Sequence, residues 1–537
     1  MDSYLKRFCI SRYFPWFLMG IILISIALLR SPMLQMPLER DEGEFAYMGQ
    51  LLLQGIPPYL MAYSMKLPGM CAIYAFIMGI FGQSISAIHL GLLIFNGIAI
   101  VLVFLLTRYL VDEIAGVIAA LVYAFLSVSP SFLGTSAHAT QFLVPLAMGG
   151  LLLLLKAIDH RKTWLIIASG FLLGMAFLIK QHAIFFVLFA IIYYFLHLKN
   201  IAVSKKETVY KMTIFIVSFM LPFLITCALL YLTGVFTTFW FWTFTYASRY
   251  AFEEPVSLAL TRFMESGWPA IYPWRLIWYA AGFGLSTIFI NKKMRLHWDF
   301  LAGFSIFSLF TVCPGFQFRS HYFITLLPAV SILSAIAVSV SMAYLSQRFS
   351  PYLKTIPVIF IILGLGIPAW RQSGFFRTNL IDANRMVYVR SNPLSPESLA
   401  IATYIKNHSS KEDLIAVIGS EPQIYFYANR KSATGYIYMF GLVEYQIYAS
   451  QMQREMTRKI EATKPRYIVV VNEMSSWYLR PESDRYILHW VDKYLKDHYR
   501  ARGVIDIMSD LKLNTNINPE DLRDVSKHNL SVLERKS

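Results

Sequence analysis

The sequence predicts a mainly α-helical membrane protein with about eleven transmembrane helices, an outer-face re-entrant or amphipathic loop and a small C-terminal α/β domain. Composition and hydropathy patterning predict this class. The 537 residues are 56% hydrophobic and only 15% charged, with a mean hydropathy of +0.51. Ordinary soluble domains carry about 25% charged residues. Long apolar runs recur along the first two thirds of the chain and then stop, so lipid must solvate most of the protein.

Apolar runs that approach the ~20 residues needed to cross the hydrocarbon core mark the predicted spans. They lie at about 13–33, 86–106, 114–133, 141–156, 163–180, 183–198, 213–232, 271–290, 299–313, 321–345 and 355–370. The run over 164–196 is too long for one crossing, so it divides at the polar trio Lys180-Gln181-His182. Residues 70–82 are apolar but short, which favours a re-entrant or interfacial helix.

Basic residues are concentrated in alternate loops and predict the orientation of the spans. They are Lys6, Arg7 and Arg12; Arg108; Lys156, Arg161 and Lys162; Lys199, Lys205, Lys206 and Lys211; Lys292, Lys293 and Arg295; and Arg348 and Lys354. Cytoplasmic loops are enriched in Lys and Arg, so the N-terminus is predicted to lie in the cytoplasm. The same rule accounts for the net charge of +16 without a nucleic-acid partner.

Two domains are predicted: a membrane domain over 1–370, which includes the first outer loop at about 34–83, and an extracytoplasmic α/β domain over 371–537. In the second domain, periodicity predicts helices at 395–408, 444–463 and 485–499 and strands at 414–418, 467–471 and 503–508. The polar tail after Lys512 is expected to be poorly ordered. The four cysteines are scattered without CxxC spacing, so no zinc site or disulfide framework is predicted.

The first outer loop carries the most informative chemistry. It opens with ERDEGE at 39–44 and continues to KLPG at 66–69. A carboxylate here can take a proton as a general base, and a lysine can neutralise a leaving phosphate. Structural alternatives exist for both, because Asp41 and Glu44 have the spacing of a helix capping box and Lys66 has the character of a snorkelling interfacial residue.

An ordered set of motifs resembles the polyprenyl-phosphate-sugar-dependent transferases of the C-type glycosyltransferase superfamily. The motifs are DEGEFAYMGQLLLQGIPPY at 41–59, KLPG at 66–69, FGQS at 81–84, AIHLGLL at 87–93, FLIKQ at 177–181 and GFQFRSHYF at 315–323. The segment SEPQIYFYANRKSATG at 420–435 resembles the outer domain of bacterial members. The superfamily includes protein O-mannosyltransferases and the lipid A aminoarabinose transferase, of glycosyltransferase families 39 and 83.

The resemblance implies a single, inverting displacement on the outer face of a bacterial plasma membrane. Asp41 matches the family's catalytic base, and Glu42 lies beside it. Lys66, Lys180 and Arg319 are the candidates for binding the donor phosphate. The family's Lys-Pro-Pro element is Lys66-Leu67-Pro68 here, so one proline is replaced. Lys180 has the alternative role of a solvated residue at a hairpin tip, and Arg319 that of an interfacial anchor.

The remaining candidates for substrate binding are His138, Gln141, His182, His321 and Tyr322. His138 and Gln141 lie where many relatives carry a second acidic residue, so the acceptor site can differ from theirs. The expected partners are a polyprenyl-phosphate sugar donor, membrane lipids and an envelope lipid, glycan or protein acceptor. No resident cofactor is predicted, and a divalent metal is optional. A lipid-linked glycan ligase or polymerase, or a polytopic transporter, is the alternative; a transporter calls for ionisable groups near the bilayer midplane.

The orientation can be tested with reporter fusions. Fusions after Lys206 and after Lys293 should report the cytoplasm, whereas fusions near Gln54 and after Asp382 should report the outside, because basic loops alternate with loops poor in basic residues. A cytoplasmic report after Asp382 would contradict the eleven-span topology.

Overall fold

The structure is a computed structural model that describes residues 13–200, 204–248, 255–292, 294–388, 394–507, 511, 514 and 529–536. The chain forms two compact units, each built from separate stretches of sequence. The first unit comprises Met1–Leu34, His89–Leu229 and Ala247–Thr378. The second comprises Gln35–Ile88, Leu230–Tyr246 and Asn379–Ser537. The first outer loop and the C-terminal region therefore belong to one unit.

Helices occupy all eleven predicted spans. Within the described residues these are Phe14–Arg30, Ile85–Leu110, Glu113–Val128, Ala139–His160, Thr163–Ile179, Ile184–Asn200, Lys205–Leu232, Arg275–Ile290, Trp298–Phe310, Leu327–Arg348 and Thr355–Arg377. Seven of them, some lengthened by a flanking 3-10 turn, are long and apolar enough to cross a membrane. The other four are Glu113–Val128, Thr163–Ile179, Arg275–Ile290 and Trp298–Phe310. The prediction of a mainly helical, multi-pass membrane fold is confirmed.

Contacts at the two ends of the helix Glu113–Val128 explain how this shorter helix belongs to the bundle. At one end of the first unit, Ser129 accepts a hydrogen bond from Trp274 Nε1 at 3.0 Å and donates one to Gln372 at 2.8 Å. At the other end, Asp112 accepts a hydrogen bond from Ser339 at 3.2 Å. The helix Glu113–Val128 connects Asp112 to Ser129, so it runs the full distance between the two ends.

Small residues let the helices of this unit approach closely. A Cβ added at Gly174 would lie 2.3 Å from the carbonyl oxygen of Phe219 on the helix Lys205–Leu232. One added at Gly284 would lie 1.9 Å from the carbonyl oxygen of Leu333. Such contacts between backbones are typical of membrane bundles, in which apolar packing cannot draw on a hydrophobic driving force.

The second unit contains a five-stranded mixed sheet. Its strands are β1 Leu414–Ile418, β2 Lys431–Ser432, β3 Tyr467–Asn472, β4 Tyr499–Asp506 and β5 Asn529–Arg535, in the order β2-β1-β3-β5-β4. Strand β1 pairs in parallel with β2 and β3, whereas β5 is antiparallel to β3 and β4. The helices of the unit are Arg40–Leu53, Gly69–Phe81, Phe236–Trp240, Leu380–Tyr388, Ser395–His408, Gln423–Ala428, Phe440–Val443, Ala449–Thr463, Met474–Trp477 and Tyr486–His498.

The small C-terminal α/β arrangement is confirmed, but the expectation for the tail is wrong in one part. Residues 529–535 form β5, which lies between β3 and β4 in the sheet. This strand has the burial of a central strand, because the side chains of Leu530 and Val532 are fully buried. In its sequence, NLSVLER, apolar and polar residues alternate only weakly, and the segment follows a polar stretch. Hydropathy alone therefore did not identify the strand. The rest of the tail after Lys512, apart from Asn514 and Lys536, lies outside the described residues.

An aromatic segment at 236–246 joins the core of the second unit. The ring of Trp242 stacks on Tyr63 of the outer loop, with centroids 5.5 Å apart. The hydroxyl of Tyr246 donates a hydrogen bond to Glu444 at 2.5 Å. The side chains of Trp242 and Tyr246 belong to the hydrophobic cluster that also contains Ile418 of the sheet. The outer loop, this segment and the sheet therefore share one core. The division of the chain at residue 370 into a membrane domain and an extracytoplasmic domain stays a prediction.

Candidate active site

The loop helix Arg40–Leu53 begins with a capping box, but not the predicted one. Glu39 is the N-cap: its carboxylate accepts a hydrogen bond from the backbone N–H of Glu42 at 3.0 Å, and the carboxylate of Glu42 accepts one from the N–H of Glu39 at 3.0 Å. The reciprocal pair satisfies two N–H groups that a helix start leaves without partners. The capping box therefore starts two residues earlier than the sequence spacing of Asp41 and Glu44 indicated.

The side chain of Glu42 forms part of this capping box. Its side chain is fully buried and is engaged in the cap. Burial, reinforced by the carboxylates of Asp41 and Glu42, raises the pKa of Glu39 well above its usual range. Glu42 thus has the contacts of a structural residue, and its predicted catalytic role finds no support in its surroundings. Asp41, in contrast, is not needed to start the helix.

Two carboxylates of the loop helix hold the ammonium group of Lys66. Its Nζ lies 2.7 Å from Asp41 Oδ1 and 2.5 Å from Glu44 Oε2, and 4.6 Å from the ring centroid of Phe45. Burial by itself lowers the pKa of Lys66, but the two carboxylates outweigh it and raise the pKa above its usual value. Lys66 is therefore a cation at neutral pH whose charge is already matched by two carboxylates, an arrangement that favours positioning Asp41 over binding a phosphate.

The carboxylate of Glu44 is buried and receives three donors. Besides Lys66, these are the hydroxyl of Ser64 and the hydroxyl of Tyr438, which lies 2.8 Å from Glu44 Oε2. Burial, reinforced by the carboxylates of Glu44 and Asp41, raises the pKa of Tyr438 well above its usual range, so the phenol keeps its proton. The side chain of Glu44 is 1% exposed and that of Asp41 is 30% exposed. Asp41 is thus the carboxylate of this network that solvent reaches.

The stretch of loop that carries Lys66 is fixed by its own hydrogen bonds. The hydroxyl of Tyr59 donates to the carbonyl oxygen of Lys66 at 2.8 Å, and the backbone N–H of Lys66 donates to Ser64 Oγ at 3.1 Å. Leu67, which replaces the first proline of the family element, is 2% exposed and packs in the core. These contacts hold Lys66 against the loop helix without the replaced proline.

In the first unit, four of the other candidates lie together around a fifth, Tyr322. The Nζ of Lys180 is 4.1 Å from the centroid of the Tyr322 ring. The rings of His182 and His321 each lie 4.8 Å from the same ring, edge to face. His138 stacks on His321, with centroids 4.2 Å apart and planes inclined by 10°. A cation, a phenol ring and three imidazoles that the sequence offered as separate candidates thus form one cluster, which we call the Tyr322 cluster.

Gln141 and Arg319 differ from this cluster. Gln141 is fully buried, and its amide donates to the carbonyl oxygens of Ser127 at 3.0 Å and Gly134 at 3.1 Å. These are the contacts of a residue that fastens a turn to a helix, so its substrate-binding role gains no support. Arg319 is exposed at the start of the 3-10 turn Ser320–Thr325.

Comparison with known proteins agrees with this architecture. Residues 66–226 match the family model described as dolichyl-phosphate-mannose-protein mannosyltransferase. No curated protein matches the chain. ArnT from Cupriavidus metallidurans bound to undecaprenyl phosphate is similar with a TM-score of 0.56 at 12% identity, over 97% of this chain and 98% of that chain. Its apo state gives 0.58 at 14% identity, over 96% and 97%. The chain has the C-type glycosyltransferase fold.

A second type of protein with this fold is also similar. The oligosaccharyltransferase AglB from Archaeoglobus fulgidus, in complex with an inhibitory peptide and a dolichol-phosphate, gives a TM-score of 0.50 at 13% identity, over 95% of this chain and 76% of that chain. The resemblance stated from the motifs is therefore confirmed at the level of the C-type glycosyltransferase fold.

Within this C-type fold, the contribution of the C-terminal region was missed by sequence reasoning. The loop helix touches that region through positions 40, 43 and 47. Arg40 forms a 2.8 Å ion pair with buried Glu421, and the hydroxyl of Tyr47 accepts the N–H of Ser432 at 2.7 Å. A Cβ at Gly43 would lie 2.5 Å from Cβ of Gln423. Positions three and four apart share a helix face. The spacing of residues 40, 43 and 47 was therefore the available sign that one face of the loop helix packs against other residues.

Proposed function

We propose that the chain is a membrane glycosyltransferase that transfers a sugar from a polyprenyl-phosphate donor to an envelope lipid, glycan or protein acceptor on the outer face of a bacterial plasma membrane. The observation that carries the proposal is the partly exposed carboxylate of Asp41, held by Lys66 on a helix that does not need it as a cap. The shared fold with ArnT, solved with undecaprenyl phosphate, supports the class of donor.

In the proposed reaction, Asp41 accepts the proton of the acceptor hydroxyl or amine. The acceptor atom forms a bond to the anomeric carbon of the sugar while the bond from that carbon to the phosphate oxygen breaks, so the configuration inverts. General-base assistance of this kind requires a carboxylate held in a fixed direction. The ion pair at 2.7 Å with Lys66, itself fixed by Glu44, supplies that constraint.

The leaving polyprenyl phosphate gains negative charge and needs a cation. Lys66 is a weaker candidate for this role because two carboxylates already surround its ammonium. Lys180 is a stronger one, since its ammonium is positioned by the Tyr322 ring and can make a charge-assisted contact with a phosphate oxygen. Arg319, which is exposed and lies three residues before Tyr322 in the sequence, is the second candidate. The proposal includes no resident cofactor, and a divalent metal stays optional.

A ligase or polymerase would use the same type of carrier with a larger glycan. A monosaccharide-linked carrier that is consumed in a purified assay would favour the transferase over both that alternative and a transporter. Mass spectrometry of envelope glycans and glycolipids from cells with and without the protein would identify the modified acceptor.

Replacing Asp41 by Asn tests the base. The change removes the ionised carboxylate and leaves the capping box of Glu39 and Glu42 intact, so the variant should insert and fold normally. Removing a general base typically lowers the rate by ~10²–10⁴. We expect a loss of this size in turnover of a polyprenyl-phosphate sugar, measured with purified protein.

The matched control is Asp492→Asn, the same chemical change at an exposed position of the helix Tyr486–His498. It should retain normal turnover. Near-normal turnover in a folded Asp41→Asn protein would eliminate Asp41 as the base.

Replacing Lys180 by Met tests the binding of the donor phosphate. Met keeps much of the apolar stem but removes the charge, so KM for the donor should rise about tenfold or more through loss of a charge-assisted contact. Lys180→Arg keeps a cation over Tyr322 and should retain most of the affinity. An unchanged KM in a correctly inserted Lys180→Met protein would indicate a solvated hairpin tip instead.

A further inference from the structure

Three aromatic side chains of the C-terminal region form a continuous row beside the candidate base. The rings of Tyr438 and Phe440 are stacked, with centroids 5.6 Å apart and planes inclined by 26°. The ring of Tyr478 follows, 5.1 Å from that of Phe440. We call Tyr438, Phe440 and Tyr478 the aromatic ladder. Its first member lies against the active-site network, since the hydroxyl of Tyr438 is 3.5 Å from Asp41 Oδ1.

The outer end of the ladder is open to solvent and held in a strained conformation. Tyr478 is 51% exposed, although a large aromatic side chain is normally buried. It terminates the short helix Met474–Trp477 with φ +53°, the left-handed region that favours glycine. Strain of this kind concentrates at functional sites, where surrounding contacts over-determine the backbone.

The middle of the ladder is fixed by a buried ion pair. The guanidinium carbon of Arg40 lies 5.1 Å from the ring centroid of Phe440. Arg40 pairs with Glu421 at 2.8 Å and donates to the carbonyl oxygen of Ser475 at 3.1 Å. The cation and its partners therefore set the orientation of Phe440 before any ligand arrives, which reduces the ordering cost of binding.

We propose that the aromatic ladder is a binding subsite for a pyranose ring of the acceptor, and that the acceptor is therefore a carbohydrate. The face of a pyranose that carries axial C–H bonds is apolar and packs on aromatic rings, while the hydroxyls at its rim bind carboxylates and cations. The ladder offers the exposed ring of Tyr478 at its outer end, and Asp41 and Tyr438 offer polar partners at its inner end. An extended peptide would instead require backbone partners or side-chain pockets.

This subsite rests on the proposed function, because it gives the transfer step its nucleophile. A hydroxyl of the acceptor sugar that reaches Asp41 passes its proton to that carboxylate as it bonds to the anomeric carbon of the donor sugar, while the exposed ring of Tyr478 holds a further unit of the acceptor. The displaced polyprenyl phosphate leaves with the bonding electron pair. A row of several rings further suits an acceptor of more than one sugar unit.

The test is binding without donor, measured by saturation-transfer NMR on the detergent-purified full chain. The probes are methyl hexopyranosides of the gluco, galacto and manno series and a Ser/Thr-containing peptide. We expect transfer to the C–H protons of at least one pyranoside and none to the peptide. Tyr478→Ala should weaken pyranoside binding about three- to tenfold, the scale of one aromatic contact, whereas Tyr478→Trp should retain it.

The matched control is Tyr445→Ala, which removes another exposed tyrosine of the same unit, 78% exposed and outside the ladder. It should leave binding unchanged. Equal effects of Tyr445→Ala and Tyr478→Ala, binding of the peptide through Tyr478, or no pyranoside binding by the native protein would each overturn the subsite. Monoglycosyl diacylglycerol in vesicles distinguishes two sources of the pyranose. If the acceptor is a glycolipid, this lipid should bind better than the soluble pyranoside. If the acceptor is a free glycan, the lipid should not improve binding.

Measuring pyranoside binding and donor turnover separately on the native protein distinguishes failure of the subsite from failure of the proposed function. Turnover of the donor in a protein that binds no pyranoside would overturn the subsite and leave the proposed function standing. Binding that persists in a chain without any transferase activity would contradict the proposed function and leave the subsite standing.

Discussion

The ammonium of Lys66 between the carboxylates of Asp41 and Glu44 is the interaction on which the candidate site depends. The side chain of Glu44 is 1% exposed, so removing the lysine would leave this buried carboxylate with only the hydroxyls of Ser64 and Tyr438 as donors. Glu44 anchors the lysine and is itself fixed by Tyr438. The exposed carboxylate of Asp41 thereby obtains a fixed direction from partners on the outer loop and in the C-terminal region.

The helices were predictable because lipid imposes a length and an apolar composition on each crossing. All eleven predicted spans coincide with helices, and the polar trio at 180–182 correctly marked a turn between two of them. Local periodicity also predicted elements of the C-terminal region, because the helix Ser395–His408 and strand β1 have the predicted bounds. Strand β5 was missed because its place between β3 and β4 depends on distant partners, which local hydropathy does not encode.

The chemistry of the site was predictable in part. A carboxylate and a lysine in one loop indicated acid–base and phosphate chemistry, and Asp41 and Lys66 do lie within 2.7 Å of each other. Spacing could not decide which acidic residue caps the helix, since ERDEGE offers two capping boxes, Glu39 with Glu42 and Asp41 with Glu44, and the structure forms the first. Nor could it find Tyr438, which is nearly four hundred residues from Glu44 in sequence yet donates to its carboxylate.

A double-mutant cycle of Asp41→Asn and Lys66→Met tests most directly whether Lys66 acts through Asp41. The quantity to measure is the initial rate of polyprenyl-phosphate sugar consumption by the native protein, both single variants and the double variant, each shown to be folded. If Lys66 serves to position Asp41, the double variant should be no slower than Asp41→Asn alone, because the two residues act as one unit. A double variant whose loss equals the product of the two single losses would contradict this account and return Lys66 to an independent role on the phosphate.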